Sequence, residues 1–204
     1  AASNSTRGLF AGGIFPGSQV HDTTEYITIA TLGNAINFGN LIADVTSNTG
    51  VADATRALFA GGIGPASPFP TVDRIEYFTI ATTGNATDFG DLTYSARYPS
   101  SAGDSTRGVF MGGATPSATN TMCFVTIQTT GDATDFGDLV TASHDAAATS
   151  DSVRAIMGAG GTPSNTNTIE KLTIQTTGNA TDHGDLSRQV SQLGACSDSH
   201  GGIS

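Results

Sequence analysis

The sequence predicts an all-β chain made of four tandem copies of one unit, and three observations carry that reading. First, Arg7, Arg56, Arg107 and Arg154 open the segments RGLFAGG, RALFAGG, RGVFMGG and RAIMGAGG at spacings of 49, 51 and 47 residues. Second, each is followed by a related tail: EYITIATLGNAINFGNL, EYFTIATTGNATDFGDL, CFVTIQTTGDATDFGDL and KLTIQTTGNATDHGDL. The aromatic position of that tail falls at Phe38, Phe89, Phe136 and His183, spaced by 51, 47 and 47 residues. Two markers in nearly the same register establish an internal repeat. Third, Gly, Ala, Ser, Thr, Asn and Asp dominate the non-aliphatic composition, which suits tight turns and solvated strand faces and disfavours long helices.

Within the 204 residues the copies run approximately over 1–47, 48–98, 99–145 and 146–193, as one repeat domain. The second copy shows the elements in order. Gly50 to Ala54 is a small-residue segment suited to a close-packed inner strand. Arg56 to Ala60 is a second strand, and Gly61-Gly62 permits a sharp exit from it. Ile75 to Ile80 alternates, with Ile75, Tyr77 and Thr79 on one face and Glu76, Phe78 and Ile80 on the other. Thr83-Gly84-Asn85-Ala86 is a turn, and Thr87 to Leu92 supplies the last strand. A four-stranded meander with two partly apolar faces cannot bury both alone. Stacking copies around an axis buries both, which is the architecture of a β-propeller; a linear β-solenoid usually has repeats shorter than about thirty residues. The tail 194–204 reads as the start of a further copy, because Gly194 to Ser199 resembles Ala102 to Ser105. It is expected to complete the first blade and close the ring, since little precedes Arg7. Pairing of two chains or continuation into a fibre is the alternative.

On these residues the chain resembles the kelch repeat: a strand ending in Gly-Gly, as at Gly12-Gly13, Gly61-Gly62 and Gly112-Gly113 and more loosely at Gly158–Gly161, with a period near fifty. It departs from the kelch pattern in having no Trp near the last strand, where Phe38, Phe89 and Phe136 stand in comparable places. The wording TRGVFMGG followed by TIQTTGDATDFGDL is also similar to repeats in marine bacteriophage structural (tail or fibre) proteins and in environmental bacterial sequences. The resemblance implies four kelch-like four-stranded blades and a place in a virion or at a cell exterior.

The net charge of −10 and pI near 4.4 argue against nucleic acid and anionic membranes as partners, because the eight basic residues are dispersed. No apolar run approaches the roughly 18 residues of a spanning helix. Nothing in the sequence supports a disulfide between Cys123 and Cys196, which occupy different positions in different copies. No signal peptide precedes Ala1, which leaves open whether one was removed.

Residues repeated in every blade are expected to serve the blade. Arg7, Arg56, Arg107 and Arg154 are accordingly read as structural, paired across blade junctions with the FGD aspartates Asp91, Asp138 and Asp185. The D-x-x-D spacing of Asp88 and Asp91, Asp135 and Asp138, and Asp182 and Asp185 raises calcium as a minority reading. Asx-turn chemistry explains it without a metal, and no EF-hand pattern is present. Glu25, Glu76 and Glu170 recur at one strand position that is Cys123 in the third copy, which suits a tolerant structural site better than a catalytic carboxylate. His21, His144, His183 and His200 show no metal-ligand spacing. No nucleophile elbow, P-loop or dinucleotide fingerprint appears, so neither catalysis nor a cofactor is expected.

Binding is expected where the copies differ, between the double glycine and the third strand. Those connections carry Phe15, Gln19, His21 and Phe69 among Pro16, Pro65, Pro68 and Pro70. Aromatic rings on Pro-stiffened loops could stack on sugars, and the competing reading has Phe15 and Phe69 plugging the ends of the blades. The functional expectation is a non-catalytic structural or adhesive module of a virion or cell exterior. Its partners would be polysaccharide, copies of itself or other surface proteins. A self-assembling scaffold without a small ligand is the alternative, and a polysaccharide-acting enzyme the distant one.

Overall fold

The computed structural model describes residues 1–17, 19–65 and 68–197, and among these there is no helix. The first copy contributes β1 (Ala2–Ser3), β2 (Arg7–Ala11), β3 (Ile14–Phe15), β4 (Gln19–Val20), β5 (Thr23–Thr28) and β6 (Ile36–Asn40). Strands β1-β2-β5-β6 form an antiparallel sheet, while β3 and β4 make a separate two-stranded hairpin. The second copy gives β7 (Thr49–Ala52), β8 (Arg56–Ala60), β9 (Arg74–Thr79) and β10 (Thr87–Asp91), in that spatial order. The third gives β11 (Ser100–Gly103), β12 (Arg107–Met111), β13 (Thr121–Thr126) and β14 (Thr134–Asp138). The fourth gives β15 (Ala147–Ser150), β16 (Arg154–Gly158), β17 (Gly161–Thr162), β18 (Ser164–Thr173) and β19 (Thr181–Val190), with β17 and β19 both pairing with β18. Five sheets result, not four, because the first connection folds into its own hairpin.

The register repeats with the sequence. Leu9 stands opposite Tyr26, Leu58 opposite Tyr77, Val109 opposite Phe124, and Ile156 opposite Lys171. Each pairing of third and fourth strand is shifted by a bulge beside the repeated F-G or H-G step. The small residues of β1, β7, β11 and β15 let these inner strands lie side by side: β7 neighbours β1 and β11, and β11 neighbours β15.

Three hydrophobic cores lie between the sheets. Leu9, Phe38 and Leu41 of the first sheet pack on Phe59, Phe78 and Ile80 of the second. Leu58, Ile75 and Phe89 of the second pack on Phe110, Val125 and Ile127 of the third. Val109, Met122 and Phe136 of the third pack on Met157, Leu172 and Ile174 of the fourth. The two faces of β9 thus enter different cores, as its alternation requires: Ile75 and Tyr77 one, Phe78 and Ile80 the other. The architecture is propeller-like.

Among the described residues, however, no C-terminal strand closes the ring. Ala2 and Ser3 already pair with Leu9 and Gly8, so the first sheet has a short inner strand of its own. Residues 194–197 form no strand, and 198–204, with His200, lie outside the described residues. The Ser197 hydroxyl donates to the Ser150 carbonyl at 2.7 Å, just as the Ser150 hydroxyl donates to Gly103 at 2.7 Å. Residues 195–197 therefore lie beside β15, in step with the repeat.

Candidate functional site

The repeated residues build the joints between sheets, in a constellation that occurs three times. Gly84 donates to the Phe38 carbonyl and Ala86 to the Asn40 carbonyl, both at 2.8 Å, while Asn40 N–H donates to Asn85 Oδ1 at 3.1 Å. Gly131, Ala133 and Asp132 do the same for Phe89 and Asp91, and Gly178, Ala180 and Asn179 for Phe136 and Asp138. This close approach requires glycine. A Cβ on Gly39, Gly90 or Gly137 would lie 2.0–2.5 Å from the backbone of the next sheet's turn glycine, at φ values of +151°, +141° and +131°.

The expected Arg–Asp pairing gives way to a different contact. Arg7, Arg56 and Arg107 each donate from Nη1 to a carbonyl of the next sheet: Ile80 at 2.7 Å, Ile127 at 3.2 Å and Ile174 at 3.3 Å. Each guanidinium also lies over an aromatic ring of its own sheet, Tyr26, Tyr77 or Phe124, at 4.3–4.6 Å from the centroid. Arg154 has neither contact and pairs with Asp151 at 3.3 Å. Asp91 and Asp138 enter the joints through their backbone N–H groups, and their carboxylates, like that of Asp185, are on exposed residues. The Asx turns come from Asn4, Asp53, Asp104 and Asp151, each accepting the N–H of the residue two on and of the Arg three on. Of the D-x-x-D acids, Asp182 accepts the Gly184 N–H at 3.0 Å. Among the described residues no three His, Cys, Asp or Glu side chains are gathered to hold a metal.

The recurrent glutamates also serve the joints. Glu76 accepts the Ile42 N–H at 2.6 Å and pairs with Arg74 at 3.0 Å. Burial pushes its carboxyl above the ordinary value, partly offset by those two partners. Glu170 accepts the Val140 and Thr141 N–H groups at 2.7 and 2.8 Å. Cys123, at the same place in the third sheet, is buried, and burial raises its thiol pKa. Glu25 in the first sheet is exposed.

The loops that leave the second strand and those that lead to the next inner strand share one end of the molecule, bridged by pairs such as Thr46 with Ile63 and His144 with Gly161. Of the predicted binding residues, Phe15, Gln19 and His21 share the β3–β4 hairpin region, and Phe69 stands on the corresponding loop of the second sheet. Phe15 and Phe69 are exposed, so neither plugs a blade, and Phe15 stacks on His21 at 3.7 Å between ring centroids. Four residues at this end escaped the sequence reading: Ser47, Tyr98, Asp145 and Gln192. Each adopts a left-handed backbone (φ +56° to +60°), and Tyr98, Asp145 and Gln192 each donate an N–H to the carbonyl of the one before. Tyr98 lies 6.3 Å from the His144 ring, and His144 Nδ1 is 3.0 Å from Asp145 Oδ2. The signal was present, since each stands nine residues after the Phe38, Phe89, Phe136 or His183 marker and differs in every copy.

A central cleft of about 500 Å³ is lined by the inner strands, by Ala195–Ser197, and on one side by Phe10, Ile27 and Ile29 of the first sheet. Its walls offer hydroxyls, backbone groups and aliphatic surface. Among its described lining residues there is no carboxylate, guanidinium or imidazole side chain.

No family model matches the sequence, and no curated protein matches it significantly. Solved structures do share the architecture, in 174 matching chains. One of them, described as the structure of YjhT, aligns with a TM-score of 0.77 at 11% identity, over 95% of this chain and 72% of that one. At that identity the likeness is one of fold, and the fold it supports is a propeller-like array of antiparallel sheets.

Proposed function

We propose that this chain is a non-catalytic structural or adhesive module of four kelch-like blades, acting in a virion or at a cell exterior and contacting surface polysaccharide through its loop end. One observation carries the reading: residues common to the copies are engaged in joints, whereas positions that differ between copies gather at the loop end. Arg7, Arg56 and Arg107, the FG(N/D) backbone, Glu76 and Glu170 all hold sheet to sheet. Phe15 and Phe69 stand exposed outside those joints, and Tyr98, Asp145 and Gln192 link corner to corner through backbone N–H groups alone, which leaves their side chains free to differ. Exposed aromatic rings on a rigid scaffold suit the faces of sugar rings at low entropic cost. The similarity to phage structural repeats supports the location, and the acidic net charge favours neutral or cationic glycans over anionic ones.

The test is binding of the whole chain to a panel of marine and bacterial surface polysaccharides by calorimetry, beside Phe15→Ala, Phe69→Ala and Tyr98→Ala variants. Saturable binding that weakens at least tenfold in one of these variants supports the reading. Binding indifferent to all three, or none, removes the adhesive part, and release of new reducing ends during incubation would mark an enzyme instead.

A further inference from the structure

We propose that the uncovered face of the first sheet is a docking face for the fourth sheet of a second copy of this chain, repeating the internal joint between molecules. The proposal extends the structural half of the function above, and does not depend on glycan binding. Each internal joint has two halves. The receding half is the FG(N/D) strand with its glycine and the Arg of the second strand. The advancing half is the TG(N/D)A turn, the Ile carbonyl and a set of apolar side chains.

The first sheet presents an advancing half that no other sheet covers among the described residues. Ile29 is 52% exposed, whereas its counterparts Ile80, Ile127 and Ile174 are 0% exposed. Phe10 is 50% exposed, against 1% and 0% for Phe59 and Phe110. Gly33, the counterpart of Gly84, Gly131 and Gly178, is followed by Asn34-Ala35, so its turn keeps the groups that reach across the other joints. Glu25 is exposed where Glu76 and Glu170 accept N–H groups from the preceding sheet.

The fourth sheet presents the matching receding half. Gly184 keeps the left-handed backbone of the joint glycines (φ +128°), and nothing lies within 4 Å of the place where its Cβ would stand. Arg154 is exposed on the residue that elsewhere crosses to an Ile carbonyl. Lys171 and His183 stand where the other sheets have an aromatic pair, so this half is more polar and more positive. Opposite the acidic Glu25 and the open Ile29 carbonyl region, that charge is complementary. It also makes the joint weaker than the internal ones, as suits a contact that forms between molecules. Such a head-to-tail contact closes into a ring or runs on as a filament, according to the rotation at the joint.

The experiment is sedimentation velocity of the whole chain over a hundredfold range of concentration, beside Ile29→Lys and Arg154→Glu, with circular dichroism confirming that each variant is folded. Both positions are exposed in the single chain, so both variants keep its interior. The expected result is concentration-dependent association of the parent chain, weakened at least tenfold in each variant. Mixing the two variants should give a heterodimer that grows no further, because each retains the one face the other has lost. A parent chain that stays monomeric throughout, or association unchanged in both variants, overturns the proposal. Glycan binding by monomeric Ile29→Lys is measured separately, so the two readings can fail independently.

Discussion

Arg107 of the third sheet donates a hydrogen bond to the carbonyl oxygen of Ile174 in the fourth, 3.3 Å away. Its guanidinium is held for the task over the Phe124 ring at 4.3 Å. Replacing Arg107 by Ala should cost about 1.5–3 kcal/mol, the range for a hydrogen bond from a charged group plus a desolvated cation–π contact. Arg154→Ala should stay within about 0.5 kcal/mol, because that side chain is exposed and paired only to a neighbour in its own turn. Urea unfolding of the two variants checks the contrast.

Gly90→Ala tests the close approach directly. Its Cβ would lie 2.5 Å from the Gly131 backbone, so the third sheet must move away or the second must twist. A loss of about 2–4 kcal/mol is expected from strain and overpacking together. Gly33→Ala meets nothing within 4 Å and has an ordinary backbone, so its effect should be close to zero. Equal losses in the two would contradict the joint geometry.

The same side chain at equivalent places should carry unequal weight. Phe59→Ala removes a ring buried in the core between the first two sheets and should cost about 3–5 kcal/mol. Phe10→Ala, on the uncovered face, should cost about 0.5 kcal/mol or less in a monomeric sample. Thermal melts at low concentration separate the two.

Acidification should act with opposite signs on two carboxylates. Burial raises the Glu76 pKa above 4.5, so the folded chain takes up this proton at a higher pH than the unfolded chain does. The destabilisation it contributes is therefore present above its folded pKa and is relieved as the pH falls towards 4.5. Asp151 is held below 3.8, chiefly by the Arg154 and Val153 N–H groups, so its contribution is present above 3.8 and is lost as the pH falls through its folded pKa. Stability measured from pH 7 to 3 should show the parent gaining on Glu76→Gln as the pH drops to 4.5. It should then lose ground to Asp151→Asn below about 4.

The two thiols should differ in reactivity. Cys196 is exposed and Cys123 is buried with its pKa raised. One equivalent of thiol per chain should react with a colorimetric reagent in the native state, and the second only after denaturant is added.

The periodic markers, the four-stranded unit and the two-faced third strand were legible because each is encoded within a few residues. The joints were not, since their halves belong to different copies: Phe89 and Gly131 are brought together only when one sheet stacks on the next. Arg7, Arg56 and Arg107 reach the joints through carbonyl partners in place of the expected aspartates, and Arg154 reaches none, because a backbone carbonyl leaves no mark in a sequence and an aspartate does. The turn residues Asn4, Asp53, Asp104 and Asp151 are readable in the sequence, each standing three residues before its Arg. Ala2 and Ser3 make a strand too short to show periodicity, so the sequence alone points to the tail 194–204 for the place they occupy. Of the candidate binding positions, the exposed aromatics Phe15 and Phe69 were legible in the sequence, whereas the left-handed corner residues share a position that shows only when the copies are aligned on their markers.

Because the three cores lie between sheets, the second and third units each carry half of one core on each face. A recombination event that adds or deletes one whole repeat in the gene leaves all remaining joints with matched halves. Such chains can change length in single steps without any compensating substitution, while the corner position at the loop end of each new copy is free to diverge.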